Sequence, residues 1–517
     1  MKFIQGQDRT QINLFPVSLD QTIDADNEVR IIDLFVDSLS IKDYGFRTDF
    51  IDNGRPAYHP SDLLKLFIYG YLNKIRSSRD LEKECSRNLE VMWLLKCLRP
   101  DHNTISNFRR DNPKAIRKVF RATVQIAKHF NLLGGNLIAG DSTKLRAQNS
   151  KKNNYNQAKI DRHIAYIDNK LEEYTMALAE SDGDNRQQLE DEINKQQKRK
   201  DNYKNLEKQL KESGEAQISI SDPDSRQIML RNNITEVAYN VQSMVDSKNN
   251  LPIDYKVTNE NDSKAMGNMV QRAKSILGTN EFTVLYDKGF HTGSELKTAQ
   301  DLGVETIVAI PGVPSTSQAP DHAYNYEHFK YNRKDDTYTC PQRQVLCTNG
   351  SWYKEKTSAG NIIWFKQYKT RACRTCPVRS HCTRSKKERL IHRSEYADYY
   401  ERNRTNTIEK EHLYKRRQAI VEHPYGTLKR QWNYSYILTK KGISRASADV
   451  GLMFIAYNLR RIGNILTMNV LKEYLRMLSS LFLSLFDLKW VILKPYNGLC
   501  DVIPYMTLEI NLRFKTA

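Results

Sequence analysis

Apolar residues along the chain recur at two different periods, and the period changes with position. Up to about residue 130 the spacing is helical: Val29, Ile32, Phe35 and Val36, then Leu63, Leu64, Phe67, Ile68 and Tyr71. Pro60 followed by Ser61 and Asp62 reads as a helix start. Short helices are expected from Leu81 to Leu98, a turn at Pro100-Asp-His-Asn-Thr104, and another helix from Ile105. A helix, a short turn and a second helix ending on Arg109 and Arg110 is either a DNA-reading helix-turn-helix or a bundle used for packing or dimerisation.

Past residue 130 the pattern turns to strands. Leu137-Ile-Ala-Gly-Asp141 and Phe282-Thr-Val-Leu-Tyr-Asp287 are apolar runs of strand length, each ending on an aspartate. Lys144 to Asn156 reads as a basic, Asn-rich loop. Ile160, Ile164, Ile167, Leu171, Tyr174 and Leu178 then alternate steps of four and three, one stripe of a heptad seam. Ser181-Asp-Gly-Asp184 reads as a turn, and Leu189, Ile193, Tyr203, Leu206 and Leu210 carry a poorer stripe back. This helical hairpin, residues 157–213, is one the core does not need, so it reads as an insertion. Val237 to Val245 and Ile253 to Val257 read as strands joined by a turn at Asn249-Asn250. Asp262 opens a helix to about Ile276; a helix near Ser294–Leu302 and a strand Glu305–Ile310 follow. Strands, then alternating strand and helix, predict a mixed α/β sheet. Residues 313–400 are dense in Cys, aromatic and basic residues with poor periodicity. Helices are expected again at about 396–422 and 443–466, and an apolar tail covers 467–517. The domains expected are a helical 1–130, an α/β 131–466 carrying both insertions, and the tail.

Charge changes the picture most. The chain carries a formal charge of +19 over 517 residues. Such an excess either merely solubilises or meets a polyanion, since phosphate neutralisation supplies most non-specific DNA affinity. Met1-Lys-Phe-Ile runs at once into polar residues, unlike a secretory signal, and no stretch reaches the roughly 18 apolar residues of a membrane span. A cytosolic chain with no membrane partner is expected. Of eight cysteines, five fall between Cys340 and Cys382, which for such a chain points to metal rather than disulfides. Cys340, Cys373, Cys376 and Cys382 suffice for a tetrahedral structural Zn²⁺ site, with Cys347 or His381 as substitutes; the other reading is small buried residues in a β insertion. From Arg371 to Arg393 there are eight Lys or Arg and one acid, Glu388. The stripe, including Arg371, Arg374, Arg379, Arg384, Lys386 and Lys387, is either a solvated face or, beside Trp364 and Tyr368, a DNA-contacting one.

Asp141 and Asp287 carry the candidate chemistry. Each alone could cap a turn; Asp287-Lys-Gly289 is good turn chemistry. Together, after strands of similar length, they form the rim of a cage for a divalent ion, completed by a third acid. Glu422 is the candidate, flanked by Arg417 and Lys429 in Tyr414-Lys-Arg-Arg417-Gln-Ala-Ile-Val-Glu422-His-Pro-Tyr-Gly-Thr-Leu-Lys429. Arg grips phosphate through two parallel bonds and Lys as a point charge. The bland reading is a solvated basic helix. Pro424 places Glu422 near a helix end or kink.

These residues resemble bacterial insertion-sequence transposases of the DDE class. The likeness rests on the Asp141, Asp287 and Glu422 spacing, the Asp-Lys-Gly-Phe context, and a Tyr-Arg-Glu-Lys run at Tyr414, Arg417, Glu422 and Lys429. Gly54-Arg-Pro-Ala-Tyr-His-Pro60, Leu63-Leu-Lys65 and Tyr69-Gly-Tyr71 resemble the InsH-type N-terminal domain of the family. Ser221-Asp-Pro-Asp224-Ser-Arg226 and Tyr239-Asn-Val-Gln242 are similar to it too. The resemblance implies an RNase-H-like core that binds Mg²⁺, or Mn²⁺, through Asp141, Asp287 and Glu422. It also implies cleavage at terminal inverted repeats of double-stranded DNA, joining of 3′-hydroxyls to target DNA, a homodimer on DNA, and a nucleoid location in a bacterial cytoplasm. In one respect the chain departs from related signatures: four residues separate Arg417 from Glu422 where three are usual. A nuclease without strand transfer, and a non-catalytic DNA binder with a zinc module and a helix-turn-helix, are the alternatives.

Overall fold

The computed structural model describes residues 18–49, 56–180, 184–229, 234–312, 318–356, 362–439 and 441–478. Six helices come first: α1 (Val29–Asp37), α2 (Pro60–Leu72), α3 (Ser78–Arg87), α4 (Leu89–Leu94), α5 (His102–Asp111) and α6 (Pro113–His129). Their starts follow from local chemistry. Pro60 and Pro113 occupy first helical positions, where a missing N–H costs nothing. Asn88 and Asp101 accept backbone N–H bonds at the starts of α4 and α5. The Asp101 cap starts α5 at His102, inside the segment expected to be a turn.

The sheet is built from β1 (Leu137–Arg146), two-residue strands β2 (Asn154–Tyr155) and β3 (Ile218–Ser219) that pair at the base of a hairpin, β4 (Arg226–Met229), β5 (Thr235–Asp246), β6 (Leu251–Thr258), β7 (Thr283–Tyr286) and β8 (Glu305–Val308). In the main sheet β5 lies between β1 on one edge and, on the other, β4 for its first residues and β6 for the rest; β7 and β8 continue beyond β1. β1, β5 and β6 are antiparallel neighbours, whereas β7 and β8 run parallel to β1. The outer strand β8 is covered by a side chain that imitates backbone: Asn403 donates to the Val308 carbonyl and accepts its N–H, both at 2.9 Å, which blunts the edge.

The hairpin helices are α7 (Gln157–Glu180) and α8 (Asp184–Ser213). Ile160 and Ile167 of the expected seam are buried. The expected turn at Ser181 lies outside the described residues, as do Gly54, Cys500 and the tail from 479. α9 (Met266–Leu277) and α10 (Gly293–Asp301) connect the later strands. Two small three-stranded sheets follow, β9 (Lys330–Asn332), β10 (Thr337–Thr339) and β11 (Val345–Cys347), then β12 (Trp352–Lys356), β13 (Ile362–Tyr368) and β14 (Ile391–Ser394), with the short α11 (Arg379–Cys382). The chain then enters α12 (Ala397–Glu409), α13 (Glu411–Gly426), a π-helical turn at Thr427–Gln431, and α14 (Ile443–Ile465).

α14 is the hub. Its buried face, including Val450, Leu452, Phe454, Ile455 and Leu459, meets α2, α5 and α6 on one side and β6 on the other. Its N-terminus is fixed by the Ser-Asp-Pro-Asp segment: Asp222 accepts the N–H of Gly442 and the hydroxyl of Tyr239, and Asp224 accepts the N–H of Ile443. Carboxylates at a helix N-terminus satisfy orphan N–H groups and match the helix dipole.

Candidate active site

Strand alternation decides which side chains meet. Leu137 and Ala139 of β1 and Leu285 of β7 lie on one face, packed with Ile420 and Val421 of α13. Ile138, Val284 and Tyr286 lie on the other. Successive side chains point to opposite faces, so Asp141 and Asp287 both fall on the α13 face. The parallel register is Ala139↔Leu285, and each aspartate stands two residues further on. The two carboxylates are therefore neighbours on adjacent strands. Contrary to the sequence expectation, Asp141 does not end its strand: β1 runs on to Arg146, because its other edge stays paired with β5 through Arg146↔Ala238. What ends at Asp141 is the parallel partner. The basic loop expected from Lys144 therefore begins only after Arg146.

Gly140 makes room on the far face. A Cβ there would lie 2.0–2.4 Å from the ring of Tyr286, which is buried with its hydroxyl unpartnered. Burial, and then the negative charge of Asp141, push the Tyr286 hydroxyl pKa well up. Asp141 itself is raised above the usual carboxylate range. Burial is the main cause; Arg417 and the Ser142 N–H oppose it, and the charges of Asp287 and Asp262 add to it. Asp287 accepts the N–H of Gly289 at 2.8 Å, so its turn chemistry and its place on the rim coexist.

α13 brings the remaining candidates. Tyr414 packs partly against the cluster beneath the helix. Arg417 Nη1 lies 3.4 Å from Asp141 Oδ2 and has no hydrogen-bond partner. Tyr425 reaches under Asp141, with its hydroxyl 2.7 Å from Ser243 Oγ and 3.4 Å from the Asp141 carbonyl. Lys429, on the π-helical turn, donates to Thr143 Oγ1 at 3.0 Å, the next residue after Asp141 on that face of β1. Pro424 lies inside α13 just before this turn, as its missing N–H would favour.

Glu422 stands apart. It is exposed, and Gln418 one turn earlier donates to its carboxylate at 2.9 Å. The extra residue after Arg417 gives the physical reason. Five helical steps turn a side chain about 140° away, whereas four would leave it about 40° away, on the same face. Among the described residues no three His, Cys, Asp or Glu side chains come together to hold an ion.

Two neighbours of the site carried no signal that the sequence reading used for chemistry. Asp262 read only as a helix opener. It accepts from Lys144 at 2.8 Å and Asn240 at 2.7 Å and adds negative charge near Asp141. Tyr425 follows Glu422 in His-Pro-Tyr-Gly, where only the course of the helix aims it at Ser243.

The other candidates divide. Cys340, Cys373, Cys376 and Cys382 line one cavity of about 30 Å³, while Cys347 is exposed. Burial raises the Cys373 and Cys382 thiols, and the neighbouring cysteines add to it. Arg371, Arg374, Arg384, Lys386 and Lys387 are exposed and Arg379 half-buried; Arg393 turns inward to Tyr338, Asp398 and Glu401. Arg110 is exposed and paired with Asp111. Arg109 must be corrected. It is buried, donates to the Tyr71 hydroxyl at 3.0 Å and faces Asp449 at 3.7 Å. With Ile105 and Phe108 it forms the inner face of α5, so it packs the bundle instead of reading DNA.

Among the described residues no helix is long and apolar enough to cross a membrane. Residues 17–111 match the family described as "Transposase domain (DUF772)", and residues 339–463 match "Transposase DDE domain". The second match spans the cysteines and α13 with Glu422; both aspartates precede it. No protein of curated function matches. A solved structure, a piggyBac transposase synaptic complex with hairpin DNA, aligns at 10% identity over 91% of this chain and 80% of that one. Its TM-score of 0.27 carries no argument. The two family matches support a transposase of the DDE type.

Proposed function

We propose that this transposase cuts at the ends of its own mobile element and joins the freed 3′-hydroxyls to target DNA. One observation carries the reading: Asp141 and Asp287 share the α13 face of adjacent parallel strands, with Arg417 and Lys429 reaching the same strand. The strand order of the main sheet, β6, β5, β1, β7, β8 with the last two parallel to β1, supports an RNase-H-like core.

The residues fit a divalent ion. Magnesium needs only one or two protein carboxylates when substrate phosphates complete its shell. Asp141 and Asp287 supply two, and the charge of Asp287 adds to the cost of ionising Asp141. Glu422 is the third acid of the proposal; α13 carries it between Arg417 and Tyr425, both of which touch Asp141. Bound Mg²⁺ or Mn²⁺ would neutralise this charge and polarise the attacked phosphate. Arg417 and Lys429 bind phosphate oxygens along β1 and orient the strand. Tyr286 and Tyr425 keep water from the sheet side of the carboxylates.

The N-terminal helices, with Arg110 exposed, recognise the terminal repeats or pair the subunits of a dimer. The Cys-rich segment takes structural Zn²⁺ through Cys340, Cys373, Cys376 and Cys382, which line one cavity but would have to draw closer to close on the ion. Stoichiometric zinc in purified protein, lost with Cys376→Ser, is the expected result; zinc-free folded protein would reject the site.

The test of function uses labelled element ends and a target plasmid with Mg²⁺. Joined products are expected. Cut ends without joining would make the protein a nuclease, and a salt-sensitive complex without cutting would make it a binder. Retained cutting by Glu422→Gln would leave the ion to the two aspartates.

A further inference from the structure

β12 and β13 pair antiparallel with Trp352 opposite Lys366, Lys354 opposite Trp364 and Lys356 opposite Ile362. By strand alternation these six side chains share one face. Trp352 is 48% exposed, Trp364 44% and Ile362 59%, and Lys354 and Lys356 are exposed as well. The only acid of the pair, Glu355, opposes Ile363 on the other face. That other face is already packed: Phe365 is buried and its ring stacks on His392 at 4.4 Å.

Neither tryptophan is therefore needed to close a core. Both are nonetheless held in place. The backbone of Trp364 is pinned by Glu395, which accepts its N–H at 3.1 Å and donates to its carbonyl at 2.9 Å. Lys366 Nζ sits 5.3 Å from the Trp352 ring centroid and pairs with Asp336 at 2.7 Å. The two tryptophans are diagonal neighbours, on backbone positions about 7–8 Å apart by strand geometry. Asp336 is taken up by Lys366 and Glu395 by the Trp364 backbone, and flat aromatic surfaces interleaved with the remaining lysines match a chain that alternates flat bases with phosphates. Paired bases show a protein only their edges, so stacking requires unpaired ones. A protein partner fits less well, because lysine is depleted from the centres of protein interfaces.

We propose that this face binds single-stranded DNA, with bases stacked on Trp352 and Trp364 and phosphates neutralised by Lys354 and Lys356. It rests on the transposase reading only for the source of the strand, an element end opened during cutting. It adds to the carboxylate site a grip on the displaced strand.

The test uses the full chain with labelled oligothymidylate and a blunt duplex of equal length. Oligothymidylate should quench tryptophan fluorescence. The double variant Trp352→Ala/Trp364→Ala should weaken oligothymidylate binding by about tenfold or more, since each stacked base contributes measurably. Its duplex affinity should stay within about twofold of the wild type. The conservative pair Trp352→Phe/Trp364→Phe should retain binding, and Lys354→Glu/Lys356→Glu should flatten its salt dependence. The proposal is overturned if the alanine pair binds oligothymidylate as well as wild type, if it loses duplex and single strand equally, or if wild-type protein does not bind oligothymidylate. Failure of the transposase reading is seen separately, in wild-type protein that neither cuts nor joins element ends.

Discussion

Two aspartate–arginine pairs in this chain have opposite characters. Asp449, on α14, is fully buried against Arg76 at 2.7 Å. It also accepts the Tyr71 hydroxyl and the Leu438 N–H. Burial alone would raise its pKa, but Arg76, Arg109 and these donors outweigh it and hold the carboxyl below its ordinary value. Asp141, at the sheet rim, is less buried yet worse served. Its arginine stands at 3.4 Å without a hydrogen bond, two more aspartates crowd it, and its pKa is raised. The Asp449 carboxylate has a donor on each oxygen and ties the N-terminal helices to α14. The second is incomplete in a way that a cation and a phosphate would complete. A crowded carboxylate at the rim, beside a carboxylate served on both oxygens in the core, separates a site from a staple.

The largest way to break this comparison is Asp449→Ala. Leaving Arg76 and Arg109 buried without their acid should cost about 3–5 kcal/mol, read from urea unfolding. Wild-type stability in that variant would erase the distinction. Next, Asp141→Asn and Asp287→Asn should each lower strand cutting about a thousandfold, close to 4 kcal/mol of transition-state stabilisation, while leaving duplex binding in gel shifts intact. Cutting at the wild-type rate would remove that aspartate from the site. Third, Mg²⁺ at about a hundred times its dissociation constant should stabilise wild-type protein by about 2.7 kcal/mol. Calorimetry of Asp141→Asn should show no such shift. Arg417→Lys should cost about tenfold in cutting, because the bidentate fork is lost while the charge stays.

The smallest effect is in pH, and its sign differs between the pairs. Asp449 has a depressed pKa in the fold, so its contribution is present above the ordinary carboxylate range and is lost as pH falls through the folded value. Asp141 has a raised pKa, so the metal-free protein is favoured at low pH and loses that stability as pH rises through the folded value. Unfolding curves should show the acid-side loss vanish in Asp449→Asn and the loss on raising pH vanish in Asp141→Asn.

Much of the frame was legible in sequence because it is written in short-range periodicity. The seam at Ile160 and Ile167, the strands at Val237 and Ile253, the helix start at Pro60 and the helix at 443–466 all reappear as elements. Boundaries set by a distant partner were not. β1 passes Asp141 because β5 continues beside it, and α5 starts early on an Asp101 cap. Arg109 ended its helix like a DNA reader, yet its destination was chosen by Asp449, 340 positions later in the chain.

The sequence by itself determined the alternating faces of β1 and β7, and so which side of the sheet Asp141 and Asp287 occupy; a period of two leaves no freedom there. It also determined, through one extra residue after Arg417, that Glu422 would turn away from it along α13. Tertiary structure alone decided that β7 would lie parallel beside β1, that α13 would cover that face, and that Asp262 and Tyr425 would join the site. Those choices are made by burial of apolar surface between segments far apart in the chain, which no local pattern encodes.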